Sequence, residues 1–265
     1  MYRGFNIKFN SSINEKYKKI GRESQQSDKA LIKENFERYL IDSDSYNGNL
    51  IMDNWFPIKE HDVFLSHSHK DEETALLIAG LLKETHGLNV FVDSSVWLNS
   101  TDLLKIIDNR FCLNEDKAFY DYNLRNFSTS HVYMMLMNSL NKMIDKSEAL
   151  FFLNTPNSIS AQSVVTERTL SPWIYSELET SKIIKKKTPE RIYRKTKYFN
   201  NYQYVALNES ADKSLQINYE LDLGHLTEIN TLEFNEWLYG NYISPTTALD
   251  KLYNKKQLPN IKFLD

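Results

Sequence analysis

The sequence has few of the residues on which several common kinds of site depend. It contains a single cysteine, Cys112, in 265 residues, which excludes an intrachain disulfide and a cysteine metal cluster. Only 7 glycines occur, and neither G-x-G-x-x-G nor a P-loop is present, so no glycine-rich phosphate site is predicted. No apolar run approaches the roughly 18 residues of a membrane span, and the first residues lack the apolar core of a signal peptide. We therefore expect a soluble, cytoplasmic protein.

The charge and composition argue against nucleic acid or an anionic membrane as a partner. The net charge of −3 and the pI near 6.1 provide no basic surface for nucleic acid or an anionic membrane. Hydrophobic content of 41% and charged content of 25% are typical of a soluble globular protein. A chain of this length can bury a real core, as one large domain or as one domain with appendages.

Alternating buried strands and helices indicate the fold class. Short apolar runs predict strands, and apolar residues at helical spacing predict helices between them. A strand, a helix and a strand within about 30 residues form a βαβ unit, whose strands should be parallel with a right-handed crossover. The sequence predicts the α/β class with an open, mostly parallel sheet. The predicted strands are 61–66, 88–93, 149–153 and 202–207, and the helices are 72–85 (ended by Gly87), 131–145 and 172–185.

The remaining segments have weaker patterns. Residues 1–59 are interpreted as an N-terminal helical arm or cap, in which 1–27 are irregular, 28–41 form a helix and 42–49 a loop. Residues 55–58 should pack as an aromatic plug against the main domain, 60–207, which contains an insertion at about 94–130 with a short helix at 101–109. Residues 208–265 are expected to form an extension packed on this domain, with a strand at 215–223 and helices at 228–239 and 245–253.

One helix start combines an acidic and an aromatic residue near the predicted sheet. Ser171 is a good N-cap, and Pro172 suits the first helical position, where a missing N–H costs nothing. Trp173 and Glu177 are four residues apart and therefore share a helix face. Because the strand 149–153 lies just upstream, both should lie past the carboxyl ends of the strands, where open α/β sheets bind ligands.

Three stretches of the predicted main domain form a pattern in order: Asp62–Asp71 (DVFLSHSHKD), Phe91–Ser94 (FVDS), and Leu150–Asn157 (LFFLNTPN) followed by Trp173–Leu178 (WIYSEL). Together they resemble the TIR (Toll/interleukin-1 receptor) domain in its bacterial form. The first resembles the opening strand and loop of the family, the second resembles its second strand, and the third resembles its third strand and following helix. In that helix a Trp four residues before a Glu is the recurring mark. The resemblance covers about residues 60–207 and implies a flavodoxin-like fold.

The resemblance also implies an activity. Many bacterial and plant TIR proteins, and one animal member, cleave the nicotinamide–ribose bond of NAD+, and the Glu is their essential residue. Glu177 would then be catalytic, and Trp173 would shape the pocket on the nicotinamide side. NAD+ would be the substrate, with no resident cofactor or metal. Phe64, Ser66, His67 and Ser68 would line the cleft from the first strand, and Asp93, Ser94 and Trp97 would stand at its rim.

Relatives of this kind suggest a biological setting as well. Some bacterial members, the Thoeris-type proteins of antiphage defence, make a cyclic or modified ADP-ribose signal for a partner effector. We expect a homo-oligomer formed through the TIR domain and an effector that senses the product. The sequence does not choose among ADP-ribose, a cyclic product and an exchange product.

The proposed chemistry needs only one carboxylate. Nicotinamide leaves NAD+ from an already cationic state, so it requires no proton donor, whereas ordinary glycosidases need two carboxyl groups. The carboxylate stabilises the positive charge that grows on the anomeric carbon, and desolvation strengthens this interaction. The indole of Trp173 offers a flat face for the departing ring.

Other candidate residues have simpler interpretations. Glu179 lies about 200° round the helix from Glu177 and should be solvated. His67 and His69 lack the acidic partners of a metal site, and Ser66 and Ser68 lack a His–Asp pattern for nucleophilic catalysis. Cys112 has no activating neighbour. Asp93 is equally suited to bind substrate or to cap the next turn.

Three alternative functions remain. The chain could be a non-catalytic TIR adaptor that self-associates through residues 94–109. A phosphoacceptor receiver domain would need an Asp at the end of the central strand, where 153–156 (LNTP) provides none. A nucleoside 2-deoxyribosyltransferase also uses a Glu against a ribosyl carbon, and an assay on deoxynucleosides would separate it.

Overall fold

The computed structural model describes residues 1–10, 14–26, 36–41, 45–116, 118–159, 167–193 and 217–256, without the side chains of residues 95–99 and 193. Its centre is a five-stranded sheet in which all pairs are parallel and the spatial order is β3-β2-β4-β1-β7. A second, two-stranded antiparallel pair, β5 with β6, lies outside this sheet. The strands are β1 (Arg3–Ile7), β2 (Val63–Ser66), β3 (Val90–Val92), β4 (Ala149–Leu153), β5 (Arg168–Thr169), β6 (Tyr219–Glu220) and β7 (Thr227–Ile229).

Helices cover both faces of the sheet, so the architecture is α/β with three layers. One core lies under four helices, α1 (Glu15–Gln26), α3 (Glu72–His86), α8 (Thr231–Leu238) and α9 (Pro245–Lys255). The other core lies under α2 (Gly48–Trp55), α4 (Ser94–Phe111), α5 (Tyr122–Lys146) and α6 (Pro172–Ile183). The short α7 (Glu190–Tyr193) and two 3-10 turns, Phe36–Tyr39 and His69–Asp71, complete the regular elements. In the described ranges, no helix has the length and apolarity needed to cross a membrane.

Alternation along the strands divides the side chains between the two cores. Val63, Leu65 and Val92 face the core under α3, while Phe64 and Phe91 face the core under α5 and α6. Both faces are buried, which explains why these strands are continuous apolar runs in the sequence.

Two glycines allow α1 and α3 to touch. A Cβ on Gly80 would lie 1.8 Å from the carbonyl oxygen of Tyr17, and a Cβ on Gly21 would lie 2.0 Å from that of Leu76. Any larger residue at the crossing would therefore push the two helices apart. Gly87 ends α3 at φ 69 in the left-handed region, which confirms its predicted role.

The sequence predicted the centre of the fold well. The strands at β2, β3 and β4 and the helices α3, α6 and α9 are confirmed. The aromatic plug is confirmed too, since Trp55 and Phe56 are 3% and 0% exposed in the second core. The β3-β2-β4 portion has the 2-1-3 order with which flavodoxin-like sheets begin.

The prediction of residues 1–27 as an irregular arm is wrong. Arg3–Ile7 is an inner strand between β4 and β7, and Glu15–Gln26 is a helix. Consequently the sheet takes strands from all three predicted segments, 1–59, 60–207 and 208–265.

Several helices begin at residues other than the predicted ones. Asn47 accepts a hydrogen bond from the Leu50 N–H and starts α2 inside the predicted loop 42–49. Asp121 caps α5 at Tyr122, and α4 is one helix from Ser94, where a loop and a short helix were expected. Residues 227–229 are a strand, so the helix predicted at 228–239 begins at Thr231.

Some expectations fall only partly within the described residues. Of the predicted helix 28–41, residues 36–39 form a 3-10 turn and 28–35 lie outside the description. The predicted strand 202–207 also lies outside it. Within 215–223, only the two-residue β6 is a strand.

Candidate functional site

The candidate site lies where the chain reverses its direction of progress across the sheet. From β2 the chain passes through α3 to β3 on one side, and later returns to β4 on the other side of β2. In open α/β sheets this arrangement leaves a crevice outside the carboxyl ends of the two central strands. Ser66 ends β2, and residues 154–159 follow β4 at the same edge.

Helix α6 brings Glu177 to this edge. The Ser171 hydroxyl accepts a hydrogen bond from the Ile174 N–H at 3.3 Å, and Pro172 occupies the first turn, as predicted. The buried residues of the helix include Ile174, Glu177 and Leu178. A carboxyl group therefore stands on an otherwise largely apolar face, and it is only 1% exposed.

Strand register places Asp93 and Ser66 beneath that carboxyl. Leu65 pairs with Val92, and Ser66 pairs with Phe152. Extending the first pairing by one residue sets Asp93 beside Ser66, with both side chains on the sheet face that α6 covers. Both residues are buried, at 4% and 0% exposure, and both act on the protonation of Glu177.

The Glu177 carboxyl is held in an unfavourable environment for negative charge. Burial and the neighbouring Asp93 carboxyl raise the pKa of Glu177 well above its usual range, while the Ser66 hydroxyl acts in the opposite direction. Neither carboxyl oxygen makes an aligned hydrogen bond to any described residue. The protonated form of Glu177 is therefore favoured in this state of the site.

Asp93 forms an ion pair with His67. The Nδ1 atom of His67 lies 2.7 Å from Oδ1 of Asp93 and 3.3 Å from the carbonyl oxygen of Leu65. Burial lowers the pKa of His67, but the contact with Asp93, the hydrogen bond to the Leu65 carbonyl and the nearby Glu72 together outweigh it, so the net effect is a raised pKa. Nε2 of His67 has no hydrogen-bond partner among the described residues. The side chain of Asp93 makes no hydrogen bond that caps α4, so the capping role is wrong and substrate binding by Asp93 stays a prediction.

A polar cluster joins the loops that follow β2 and β4. Asp71 accepts hydrogen bonds from the Thr155 hydroxyl and, at 2.7 Å, from Nδ2 of Asn157. The Ser158 hydroxyl donates to the carbonyl oxygen of Leu153 at 2.8 Å. This cluster was not predicted from the sequence, although polar residues directly after a buried strand were a usable signal.

The other predicted site residues lie at different depths. Phe64 is fully buried in the core, with its ring 5.2 Å from that of Phe91. Ser68 is half-buried, and its carbonyl oxygen accepts a hydrogen bond from the Asp71 N–H. Ser94 is the buried first residue of α4. Trp97 lies on the same helix, with a side chain outside the description.

Trp173 lies one turn before Glu177, at the amino end of α6. It is half-buried against the second core, and its ring meets Tyr133 of α5 edge-on at 5.7 Å. The indole is thus part of the α5–α6 contact. Glu179, two residues after Glu177, is more exposed and forms an ion pair with Lys182 at 2.7 Å.

A cavity of about 260 Å³ lies at the amino ends of β2 and β3, on the opposite edge from Glu177. Its lining includes Ser24, His61, Lys83 and Asn89, and none of the site residues described above. Glu177 therefore does not open into this cavity, and a ligand reaches its carboxyl only if covering side chains move.

The arrangement has the properties of a site for a cationic or polyhydroxylated ligand. Glu177, Ser66 and His67 carry buried polar atoms that no described residue satisfies, and such atoms are costly unless something pairs with them. Comparisons of the chain with protein-family models, with curated proteins and with solved structures found no match.

Proposed function

We propose that the chain is a TIR-type NAD+ nucleosidase in which Glu177 stabilises the cationic ribosyl group as nicotinamide leaves. The observation that carries the proposal is the carboxyl of Glu177, buried at the carboxyl edge of a parallel sheet, beside Ser66, with both oxygens unpaired among the described residues. The resemblance of the surrounding motifs to bacterial TIR domains agrees with this placement.

The electrostatics suit glycosidic cleavage with a cationic leaving group. Desolvation makes a carboxylate at Glu177 unfavourable when it stands alone, and it makes the attraction to a positive substrate strong for the same reason. Entry of the nicotinamide ribosyl cation would therefore favour ionised Glu177. The resulting charge pair becomes more favourable as positive charge moves to the anomeric carbon, which lowers the barrier.

Nucleophilic catalysis by serine has less support. Oγ of Ser66 has no hydrogen-bond partner among the described residues, and the Nδ1 atom of His67 faces Asp93. The described geometry therefore does not offer Nδ1 of His67 as the base for this hydroxyl. In the proposed reaction Ser66 instead donates a hydrogen bond to Glu177 or to a ribose hydroxyl.

Trp173 completes the proposal on the nicotinamide side. Its half-buried ring lies on the helix that carries Glu177 and packs edge-on against the ring of Tyr133. The exposed part of the indole provides a flat surface for the leaving ring and reduces the access of water. Water, an adenine nitrogen or another small nucleophile then completes the reaction. In the proposed setting of antiphage defence, a homo-oligomer makes the product and an effector protein senses it.

Measurement of nicotinamide release tests the proposal. Concentrated protein, with and without a crowding agent, is incubated with NAD+, and the products are separated and identified by mass spectrometry. We expect release by the wild type and by Glu179→Gln, and at least a hundredfold less by Glu177→Gln. Absence of release from folded, concentrated wild type would reject the function.

A second candidate, a non-catalytic TIR adaptor, is favoured by a different observation. Leu124, Phe127 and Met134 of α5 share one helix face and are 48%, 67% and 58% exposed. Aromatic and Met side chains without charge are typical of an interface core. The sequence had placed self-association at residues 94–109, whereas this stripe lies on the following helix. The adaptor function is correct if Phe127→Ser abolishes self-association and biological activity while Glu177→Gln preserves both.

A further inference from the structure

The contact between His67 and Asp93 adds a second ionisable pair to the Glu177 site. The two side chains are 3% and 4% exposed, and their charged atoms lie 2.7 Å apart. They come from the ends of neighbouring strands, so the sheet itself fixes their separation. Asp93 faces Glu177, because Asp93 and Ser66 share the sheet face that α6 covers, and His67 reaches this site through its contact with Asp93.

Two facing buried carboxyls cannot both be ionised without a large cost. Ionisation of one carboxyl therefore opposes ionisation of the other, and the neighbouring groups decide which of the two holds a proton. His67 contacts Asp93 directly, and no cation contacts Glu177 among the described residues. An imidazolium beside Asp93 therefore favours the proton on the Glu177 carboxyl.

We propose that His67 and Asp93 form a positioning pair that sets the protonation state of Glu177, so that Glu177 gains its charge only when a cationic substrate enters. On entry, the proton passes from the Glu177 carboxyl to water, and the carboxylate faces the substrate cation. No bond to the substrate is made or broken in this step. The catalytic consequence rests on the proposed NAD+ chemistry, whereas the proton assignment does not.

Few other charged side chains of the described residues act on Glu177, His67 and Asp93. Glu72, at the start of α3, interacts with His67, and Asp93 is the acidic neighbour of Glu177. From α5, the neutral side chains of Met137 and Asn141 contact α6. Residues 95–99 of α4 are Ser-Val-Trp-Leu-Asn and contain no ionisable side chain. The pH at which Glu177 is half-ionised should thus respond mainly to substitutions at residues 67 and 93.

Direct titration of Glu177 tests the proposal without relying on turnover. Protein labelled with ¹³C at the glutamate carboxyl carbons is followed by NMR from pH 3 to pH 9, and the Glu177 signal is assigned by its loss in Glu177→Gln. In the wild type we expect a midpoint far above the usual value of about 4.3. Asp93→Asn should lower that midpoint by about 1–3 pH units, because the neighbouring negative charge is removed.

His67→Gln should have the opposite effect. Without the imidazolium, Glu177 and Asp93 share a proton as a coupled pair, so the Glu177 signal titrates in two steps with the upper midpoint above that of the wild type. His67→Asn provides the same test if the glutamine variant does not fold. Asp71→Asn is the matched control, since it removes another buried carboxylate at the same edge that is bonded to Thr155 and Asn157. It should leave the midpoint unchanged.

The outcomes separate this proposal from the proposed function. Opposite shifts in the Asp93 and His67 variants support the pair, and a merely structural role would not produce opposite signs. Shifts in the same direction, no shifts, or an ordinary midpoint in the wild type would overturn it. If nicotinamide is released, the acid limb of its pH profile should move as the NMR midpoints do. Opposite midpoint shifts without any release would retain the proton assignment and reject the NAD+ chemistry.

Discussion

Replacing Glu177 by Gln should stabilise the folded protein increasingly as pH rises. The substitution keeps the size of a side chain that is 1% exposed and removes its ionisation. Burial and Asp93 raise the pKa of Glu177 in the folded state, whereas the unfolded chain titrates near the ordinary value of about 4.3. Below that ordinary value both states are protonated, and the wild type bears no penalty.

Between the two pKa values the unfolded state ionises and the folded state does not, so wild-type stability falls as pH rises. Each pH unit in this window lowers the free energy of unfolding by about 1.4 kcal/mol. For a domain of about 150–250 residues, 1 kcal/mol corresponds to about 2–4 °C in Tm. The Gln variant should therefore gain about 3–6 °C on the wild type for each pH unit of the window.

Thermal unfolding followed by calorimetry from pH 4.5 to pH 8 measures this difference. Glu179→Gln is the control, because its carboxyl is partly exposed and paired with Lys182, and its Tm difference from the wild type should be flat. A flat difference for Glu177→Gln, or a relative gain of the wild type with pH, would refute the reasoning that the Glu177 carboxyl is desolvated.

Three further substitutions test the fold around the site by denaturant unfolding. Gly80→Ala should lose about 1–3 kcal/mol although alanine favours helices, because its Cβ would meet the Tyr17 carbonyl oxygen at 1.8 Å; an equal or greater stability would contradict the helix crossing. Gly48→Ala, whose nearest non-neighbouring atom is 3.5 Å away, should stay within about 0.5 kcal/mol. Asn230→Ala removes the capping box of α8 and should cost about 0.5–2 kcal/mol; no loss would show that the cap contributes nothing.

Local patterns were sufficient for the elements that carry Glu177. The buried strand β4 is an unbroken apolar run, β2 is apolar up to its last residue, Ser66, and the Ser-Pro start of α6 is a local signal that the structure reproduces. The four-residue spacing of Trp173 and Glu177 was readable for the same reason. These features depend on neighbours in sequence.

Long-range partners explain what was missed. Strand β1 begins with Arg3, a residue untypical of a buried strand, which donates to Thr227 and Tyr253 at separations of 224 and 250 residues. The alternation of Phe5, Ile7 and Phe9 was a usable strand signal that the polar surroundings obscured. The contact of His67 with Asp93 depends on the register of two strands, which no local pattern specifies.

Nicotinamide release from NAD+, measured side by side for wild type, Glu177→Gln and Glu179→Gln at equal high concentration, determines whether Glu177 acts in glycosidic cleavage. We expect release by the wild type and the Glu179 variant, with at least a hundredfold loss in Glu177→Gln while that variant remains folded. Equal release by Glu177→Gln and wild type, or none from any of the three, would contradict this role of Glu177.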